Sequence, residues 1–434
     1  MTLPSVPNPV GVGAALTFNR DPLGTLLAWR REYGPHFVAQ IASSRLHVIT
    51  DADDLYTVLV GRAKDFNKRD SAKESLGPLL GRGLLLSDGD FWRRQRRLAQ
   101  PAFHHKRIVT YATQMVAYAG DVVARWQPGQ TYDIADEMTG LTLRIVARTL
   151  FNVETGDVTH RVSDALDVLL PTAARRARLP VRLPVGRRVT DSLEALDALV
   201  YAFIEERRAD PTDRGDLLSM LMAATDEDDG TGMTDQALRD EIMTIFLAGH
   251  ETTASALAWT FYLLSQHPEV EARLLAEVDA VGHPPTYDAI ADLPTTLMVV
   301  KEALRLYPPA WLFSRQATTD VALKRGVVAA GEGVWISPYA IHREADVFPD
   351  PERFDPDRFT PEREAAIPRT AYIPFSTGPR VCIGNSFALM EAQLILATIL
   401  QRVRLRLAPG AAVEPLADIT LRPKGDLPMV VEAR

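Results

Sequence analysis

The chain has 434 residues, of which 46% are hydrophobic and 24% charged, so it is globular and has apolar material for a large core. A formal net charge of −8 argues against general nucleic-acid binding, and no run of 18 apolar residues offers a membrane-spanning helix. The single cysteine excludes an internal disulfide and suits a reducing compartment.

Met1–Arg20 holds Pro4, Pro7 and Pro9 without a basic segment followed by an apolar one, so no secretory leader is expected and the cytoplasm is the expected location. Asp21–Tyr33 reads as a helix, His36–Thr50 as a hairpin of alternating apolar residues, and Asp51–Val60 as a short helix. Lys64–Ser87, rich in Gly and Leu, reads as a loop with one helical turn that could wall a pocket. Gly89–Gln100 is a helix stopped near Pro101, and amphipathic helices follow at Ile108–Trp126, Glu137–Phe151, Val162–Leu170 and Val189–Arg208. Between the last two, Ala173–Arg188 carries six arginines interleaved with Leu179, Val181, Leu183 and Val185. This is either a solvated linker or a basic, apolar lid in weak peripheral contact with a membrane surface. The longest periodic run is Thr234–Gln266, with Thr234 as cap and Pro268 beyond its end. Helices are expected at Glu269–Ala280 and at Pro294–Leu306, short strands within Val321–Ile336, and irregular chain at Pro349–Phe375. An apolar helix at Asn385–Gln401 and strands at Val403–Ala408 and Ile419–Val431 complete a mainly α chain with small β-sheets.

Cys382 stands in the run Phe375-Ser-Thr-Gly378-Pro-Arg380-Val-Cys382-Ile-Gly384. Unpaired cysteines are mostly small buried hydrophobes. Phe, Gly, Arg, Cys and Gly at these offsets, however, arise by chance in about one window in ten million at average residue usage. A thiolate rather than a thiol is the metal ligand and nucleophile. The sulfur falls near the N-terminus of the Asn385–Gln401 helix, where unpaired amides favour negative charge. Gly378 and Gly384 permit a tight backbone there.

The long helical run is interrupted by Ala248-Gly249-His250-Glu251-Thr252-Thr253 among Ile245, Phe246, Leu247, Leu257, Trp259 and Phe261. A helix apolar on most faces is buried, and buried Glu and Thr need partners. Either the helix is locally kinked, with threonine bonding back to the preceding turn, or the interruption carries chemistry. Glu302 and Arg305 share a helical face three residues apart, and Trp92 and Arg96 share one at four. Other catalytic patterns break down. His250-Glu251 lacks a second histidine because position 254 is Ala, Gly384-Asn-Ser386-Phe-Ala388 lacks the second glycine of a nucleophile elbow, and there is no Walker loop and no C-x-x-C.

Together these segments resemble the cytochrome P-450 family: F-x-x-G-x-R-x-C-x-G at Cys382, A-G-x-E-T at Ala248–Thr252, E-x-x-R at Glu302–Arg305 followed by Leu-Tyr-Pro-Pro, and W-x-x-x-R at Trp92–Arg96. The resemblance runs from Asp21 to Leu427 and implies one triangular, α-rich domain over residues 1–434. It implies haem b with Cys382 as axial thiolate and Phe375 packed over the sulfur, and it places Arg380, Trp92, Arg96 and Arg315 at the propionates. Gly249, with Ala248, would leave room for O2, and Glu251 and Thr252 would deliver protons. Glu302 and Arg305 would meet an arginine from a P-x-R-F segment, for which Pro351-Glu-Arg353-Phe354 and Pro356-Asp-Arg358-Phe359 both qualify. The distance to Phe375 and the preceding Asp346-Val-Phe-Pro favour Arg358.

The implied reaction inserts one oxygen atom of O2 into a large apolar substrate. About fifty residues follow Cys382 without another cysteine, so electrons are expected from a separate ferredoxin or flavodoxin and an NAD(P)H-dependent reductase. Arg93, Arg94 and Arg97 would offer an acidic partner a basic patch, and a monomer is expected. Peroxide-driven oxidation and non-enzymatic haem-thiolate binding are the competing readings, and the Glu251–Thr252 pair speaks against both. The implied pocket residues Leu85, Ala248, Ala310, Leu312 and Ile419 are apolar and offer no anchor for a carboxylate. EALRLYPPAW, ISPYAIHRE and LRPKGDLP look most like segments of bacterial carotenoid-ring hydroxylases. Fatty-acid hydroxylases rank second, and macrolide or terpene substrates stay open.

Overall fold

The structure, a computed structural model, describes residues 3–7, 13–41, 44–152, 157–178, 186–210 and 212–434. Its spine is the helix Asp235–Gln266, 32 residues and about 48 Å long. Thr234 caps it by accepting the Ala237 N–H at 3.2 Å, and Pro268 opens the next helix, Pro268–Ala280. Most of its side chains are buried whichever way they point, so other helices enclose it. Ile134–Phe151 runs beside it, and Gly249 lets the two close up: a Cβ there would lie 3.1 Å from Val146 Cγ2.

Two cores meet this spine at different heights. Leu257, Phe261 and Leu264 join Met115, Val299 and Leu394 in a core shared with the helices Ala112–Arg125, Pro294–Leu306 and Asn385–Leu400. Leu238, Ile242 and Phe246 join Leu79, Leu166 and Ile204 in a second core with Asp70–Leu80, Asp157–Arg178 and Arg187–Ala209. The stretch Ala248–Thr253 belongs to neither. The polar interruption read in the sequence is thus the place where the apolar packing of the spine parts.

A five-stranded sheet has the order His36–Ile41, Ser44–Ile49, Gly333–Ile336, Phe313–Ala317, Phe66–Asn67. Ser44–Ile49 and Gly333–Ile336 are parallel, with Leu46 opposite Gly333; the other pairs are antiparallel. Because side chains alternate along a strand, Phe313 and Arg315 share a face. A three-stranded sheet joins Thr131–Asp133, Pro428–Ala433 and Val403–Leu407.

The mainly helical architecture with small sheets is the expected one, and Pro294–Leu306 agrees to the residue. Lys64–Ser87 departs: it contains the eleven-residue helix Asp70–Leu80 instead of a single turn. Gly77 and Pro78 are breakers by propensity, but Leu79 and Leu80 are buried in the second core and packing overrides them. The helix expected to stop at Leu170 likewise continues through Pro171 to Arg178. Of the arginine-rich segment, Leu179, Val181, Leu183 and Val185 lie outside the described residues. Helices Gly13–Arg20 and Leu217–Ala223 and the strand Phe313–Ala317 had no counterpart in the sequence reading. Among the described residues, no helix is long and apolar enough to cross a membrane.

Candidate active site

Between the long helix and the helix Asn385–Leu400 lies a cavity of about 350 Å³, and Cys382 forms part of its wall. Protein surrounds this residue, yet its surface is accessible because it faces the cavity. The loop before it is closed by the Cys382 N–H, which donates to Phe375 O at 2.9 Å. Closure takes left-handed backbone at Ser376 (φ 59) and Gly378 (φ 73). A Cβ on Gly378 would also come within 2.1 Å of Leu59 O, so conformation and crowding both demand glycine. Gly384 serves differently: it precedes the helix at φ −93 and its N–H bonds the sulfur. Burial raises the Cys382 pKa, opposed by that N–H and by the Arg96 charge. Burial prevails, so the sulfur becomes a thiolate where a metal cation meets it. Phe375 lines the cavity with it.

Four cationic side chains among the described residues also line this cavity: Lys68, Arg96, Arg315 and Arg380. Arg380 donates to Asp88 Oδ1 at 2.7 Å and to Ser87 O at 2.9 Å, with its guanidinium 4.3 Å from the Trp92 ring centre. Arg96 donates to Val381 O at 2.9 Å. Arg315 is buried, and among the described residues its side chain bonds only its neighbour's carbonyl, Ser314 O, at 3.0 Å. Burial, reinforced by Arg380, pushes its pKa down to about 10. Burial and the charges of Arg315 and Arg380 push Lys68 well down as well. Asp88 is the nearby carboxylate, and Lys73 shares it at 2.8 Å. Such crowded cations call for an anionic ligand. With a thiol in one wall and cations for two carboxylates, the residues fit a haem. Lys68 was missed by sequence reasoning, since Phe66-Asn67-Lys68-Arg69 carries no motif and only the edge strand brings it here.

On the long-helix side, Ala248, Gly249 and Thr252 line the cavity. The Thr252 hydroxyl donates to Ala248 O at 2.6 Å, and Thr253 to Gly249 O at 3.1 Å, each bonding back to the carbonyl four residues earlier. Thr142 from the neighbouring helix donates to His250 O at 3.0 Å. Glu251 is not among the cavity-lining residues; its Oε1 accepts the Thr420 hydroxyl at 2.7 Å. The expected acid–alcohol pair is therefore not joined directly, because consecutive helical residues point about 100° apart. Burial raises the Glu251 pKa, against Thr420 and Arg422, which lower it. His250 is buried, shares a hydrogen bond with Phe246 O at 3.1 Å, and is pushed down to about 4 by burial, so it is a neutral core residue. For Gly249, the close neighbour of a Cβ would be Val146.

The loop over the cavity is tied to the long helix by carboxylates. Asp240 Oδ2 accepts the Arg82 N–H at 2.7 Å, and Glu241 Oε2 accepts the Leu84 N–H at 3.0 Å. Away from the cavity, Glu302 and Arg305 are fully buried and joined by two bonds of 2.7 and 2.8 Å. Arg358 approaches Glu302 Oε1 at 3.4 Å and is buried, whereas Arg353 is exposed and only its carbonyl meets Arg305, at 3.1 Å. His342, whose Nε2 accepts the Ile373 N–H at 2.9 Å, completes this network and had no sequence signal.

Three expectations need correction. Leu312 does not line the cavity; it lies in the irregular chain just before the strand Phe313–Ala317 and packs against the Trp29–Trp335 cluster, while Phe313 faces the site. Ile419 does not line it either, lying beside Thr420, whose hydroxyl faces Glu251. Leu85 and Ala310 do, together with Leu84, Thr244, Ile245 and Pro309, which were not foreseen. Arg93, Arg94 and Arg97 form no open basic patch: Arg93 meets Asp90, Arg94 lies 3.5 Å from Asp226, and Arg97 donates to Asp226 and Asp228 at 2.9 and 2.7 Å.

The family model described as cytochrome P-450 matches residues 4–427. The chain is 39% identical to cyclooctatin synthase of Streptomyces melanosporofaciens over 97% of this chain and 94% of that protein. It is 40% identical to pentalenene oxygenase of Streptomyces avermitilis over 79% of this chain and 78% of that one. With cyclooctat-9-en-7-ol 5-monooxygenase of Streptomyces melanosporofaciens the identity is 38%, over 82% and 79%. The chain belongs to the cytochrome P-450 family. It is a monooxygenase that uses haem with a cysteine thiolate ligand and O2. When bound, the haem iron supplies the chemistry of O2 activation.

Proposed function

We propose that this chain hydroxylates a cyclic terpenoid, with Cys382 as the haem ligand and with electrons from a separate ferredoxin or flavodoxin and its reductase. The carrying observation is the division of the cavity wall. Leu84, Leu85, Ile245, Ala248, Ala310 and Phe313 are apolar, while the cationic side chains are those fitted to the haem. An apolar substrate is held there by burial, about 25 cal/mol for each Å² removed from water, and among the described residues no cation stands on the apolar part of the wall to anchor a fatty-acid carboxylate. Relatives named for pentalenene and for cyclooctat-9-en-7-ol support a terpenoid over the carotenoid first preferred.

In this reading Thr252 holds a proton at the cavity face and Glu251 restores it. Glu251 must first leave Thr420, which holds it away from the cavity. The haem-loaded protein titrated with terpenoids, carotenoids and fatty acids should change spin state with terpenoids. A response to carotenoids or fatty acids with none to terpenoids would reject the assignment.

A further inference from the structure

Away from the cavity, the paired strands His36–Ile41 and Ser44–Ile49 bring two histidines together inside the protein. His36 and His47 are 1% and 0% exposed, and His36 Nε2 lies 3.0 Å from His47 Nδ1. A carboxylate closes each end of the pair. His47 Nε2 lies 2.8 Å from Glu332 Oε2, and His36 Nδ1 lies 3.4 Å from Asp54 Oδ2. Each of these contacts needs one hydrogen between its atoms. Burial raises the Asp54 pKa, but His36 and the Lys324 N–H outweigh it and the net shift is downward. Glu332 is lowered in the same way, by the Ala329 N–H and His47 against burial. At neutral pH neither carboxylate therefore brings a hydrogen, and a neutral imidazole carries one. With both rings neutral, two hydrogens serve three contacts. The distances show which contact goes without: among the described residues, the buried His36 Nδ1 and Asp54 Oδ2 have no hydrogen-bond partner. The neighbouring cations leave the gap open. Arg45 lies 3.3 Å from Glu332, while Lys324 and Arg325 reach Asp53 at 2.8 Å and Asp51 at 3.8 Å.

We propose that Asp54, His36, His47 and Glu332 form a proton latch. As the pH falls below neutral, one proton from solvent enters between His36 Nδ1 and Asp54 Oδ2 and turns that contact into an ion pair. One N–H bond forms and none breaks, and the row passes from two negative charges to one. The position of Asp54 gives the latch its reach. It belongs to the helix Ala52–Tyr56, which continues directly into Thr57–Gly61. Leu59 of that continuation holds the carbonyl that leaves no room for a side chain at Gly378, in the Cys382 loop. Asp54 Oδ1 already accepts the Lys324 N–H at 2.7 Å, so filling the Oδ2 contact pins the helix through both carboxylate oxygens. Mild acid thereby tightens the support behind the loop that carries the haem ligand.

Asp54→Asn tests this, because the amide places a hydrogen where the proton would go and leaves Oδ1 to accept the Lys324 N–H. Between about pH 5.5 and pH 8 an aspartate is ionised in the folded and the unfolded chain alike. The difference between the two proteins in that window therefore reports the added proton. A proton held more tightly by the wild-type fold than by the variant stabilises wild type as pH falls, and the gain is lost as pH rises. In thermal unfolding of the haem-loaded proteins, wild type should gain about 2–4 °C on Asp54→Asn from pH 8 to pH 5.5. Retention of the red-shifted ferrous–CO Soret band on heating should follow the same trend. Parallel unfolding profiles would overturn the latch, and a shift in unfolding without one in the Soret band would overturn its tie to the Cys382 loop. Ring-nitrogen magnetic resonance of wild type, with the pair assigned by magnetisation transfer between the two rings, decides even if the variant fails to fold. One ring of the pair should carry hydrogen on both nitrogens at about pH 5.5; two neutral rings there would overturn the proposal.

Discussion

Arg358→Ala measures how far Glu302 depends on a third charge. Breaking a buried ion pair outright costs about 3–5 kcal/mol. Here the loss is smaller, because Arg305 still donates two bonds to Glu302 and the Asp355 N–H a third at 2.9 Å, whereas the Arg358 contact is 3.4 Å. The variant also strips Asp350 O of its donor at 2.8 Å. One stretched ion pair and one charge-assisted hydrogen bond together suggest about 2–3 kcal/mol. The assay is thermal unfolding of the haem-loaded protein, followed by Soret absorbance and far-ultraviolet dichroism. Domains of 150–250 residues lose about 2–4 °C per kcal/mol, and a longer chain less, so a drop of several degrees is expected. Arg353→Ala should stay within about 0.5 kcal/mol of wild type, as exposed substitutions do. If Arg353→Ala proved as damaging as Arg358→Ala, the assignment of the third arginine would be wrong.

Cys382→Ser should abolish the red-shifted Soret band of the ferrous–CO complex; a retained band would show that another residue ligates the iron. Thr252→Ala should still bind substrate and O2 but divert reducing equivalents to peroxide, and a product yield per NAD(P)H equal to wild type would refute its proton-handling role. Thr420→Val removes a bond that lowers the Glu251 pKa, so the pH profile of product yield should move to higher pH; an unmoved profile would separate Glu251 from proton supply. Glu391, fully buried and raised to about 8 by burial, takes up a proton on folding between its unfolded pKa and 8. Its stability contribution is therefore full at low pH and lost as pH rises through 8. Glu391→Gln should gain on wild type steadily from pH 5 to 8 in thermal unfolding, and parallel curves would refute this.

What could be read from the sequence follows what each signal depends on. The thiolate loop was legible because Cys382, Gly378 and Arg380 are fixed by local backbone and by one ligand, which tie them at set offsets. The spine helix was legible from periodicity and from the Thr234 cap. Asp70–Leu80 was not, because burial of Leu79 and Leu80 against distant helices outweighs Gly77 and Pro78. Lys68 and His342 were silent for a related reason: each reaches its position through a pairing or loop remote in sequence, and nothing beside it reports the destination. Leu312 failed by a single residue: in the irregular chain between Ala310 and Phe313, which line the cavity, it turns instead into the aromatic cluster, and no local pattern reports that turn.

The ties from Asp240 and Glu241 to the cavity loop grip main-chain amides, and an amide is offered by every residue except proline. The anchors on the helix are therefore indifferent to what positions 82 and 84 carry, while Leu84 and Leu85 supply side chains to the wall. Holding and lining are separate jobs done by different atoms of the same segment. A lineage can vary the wall at 84 and 85 without surrendering the loop that carries it, and libraries that avoid proline at 82 and 84 can reshape the cavity at little risk to folding.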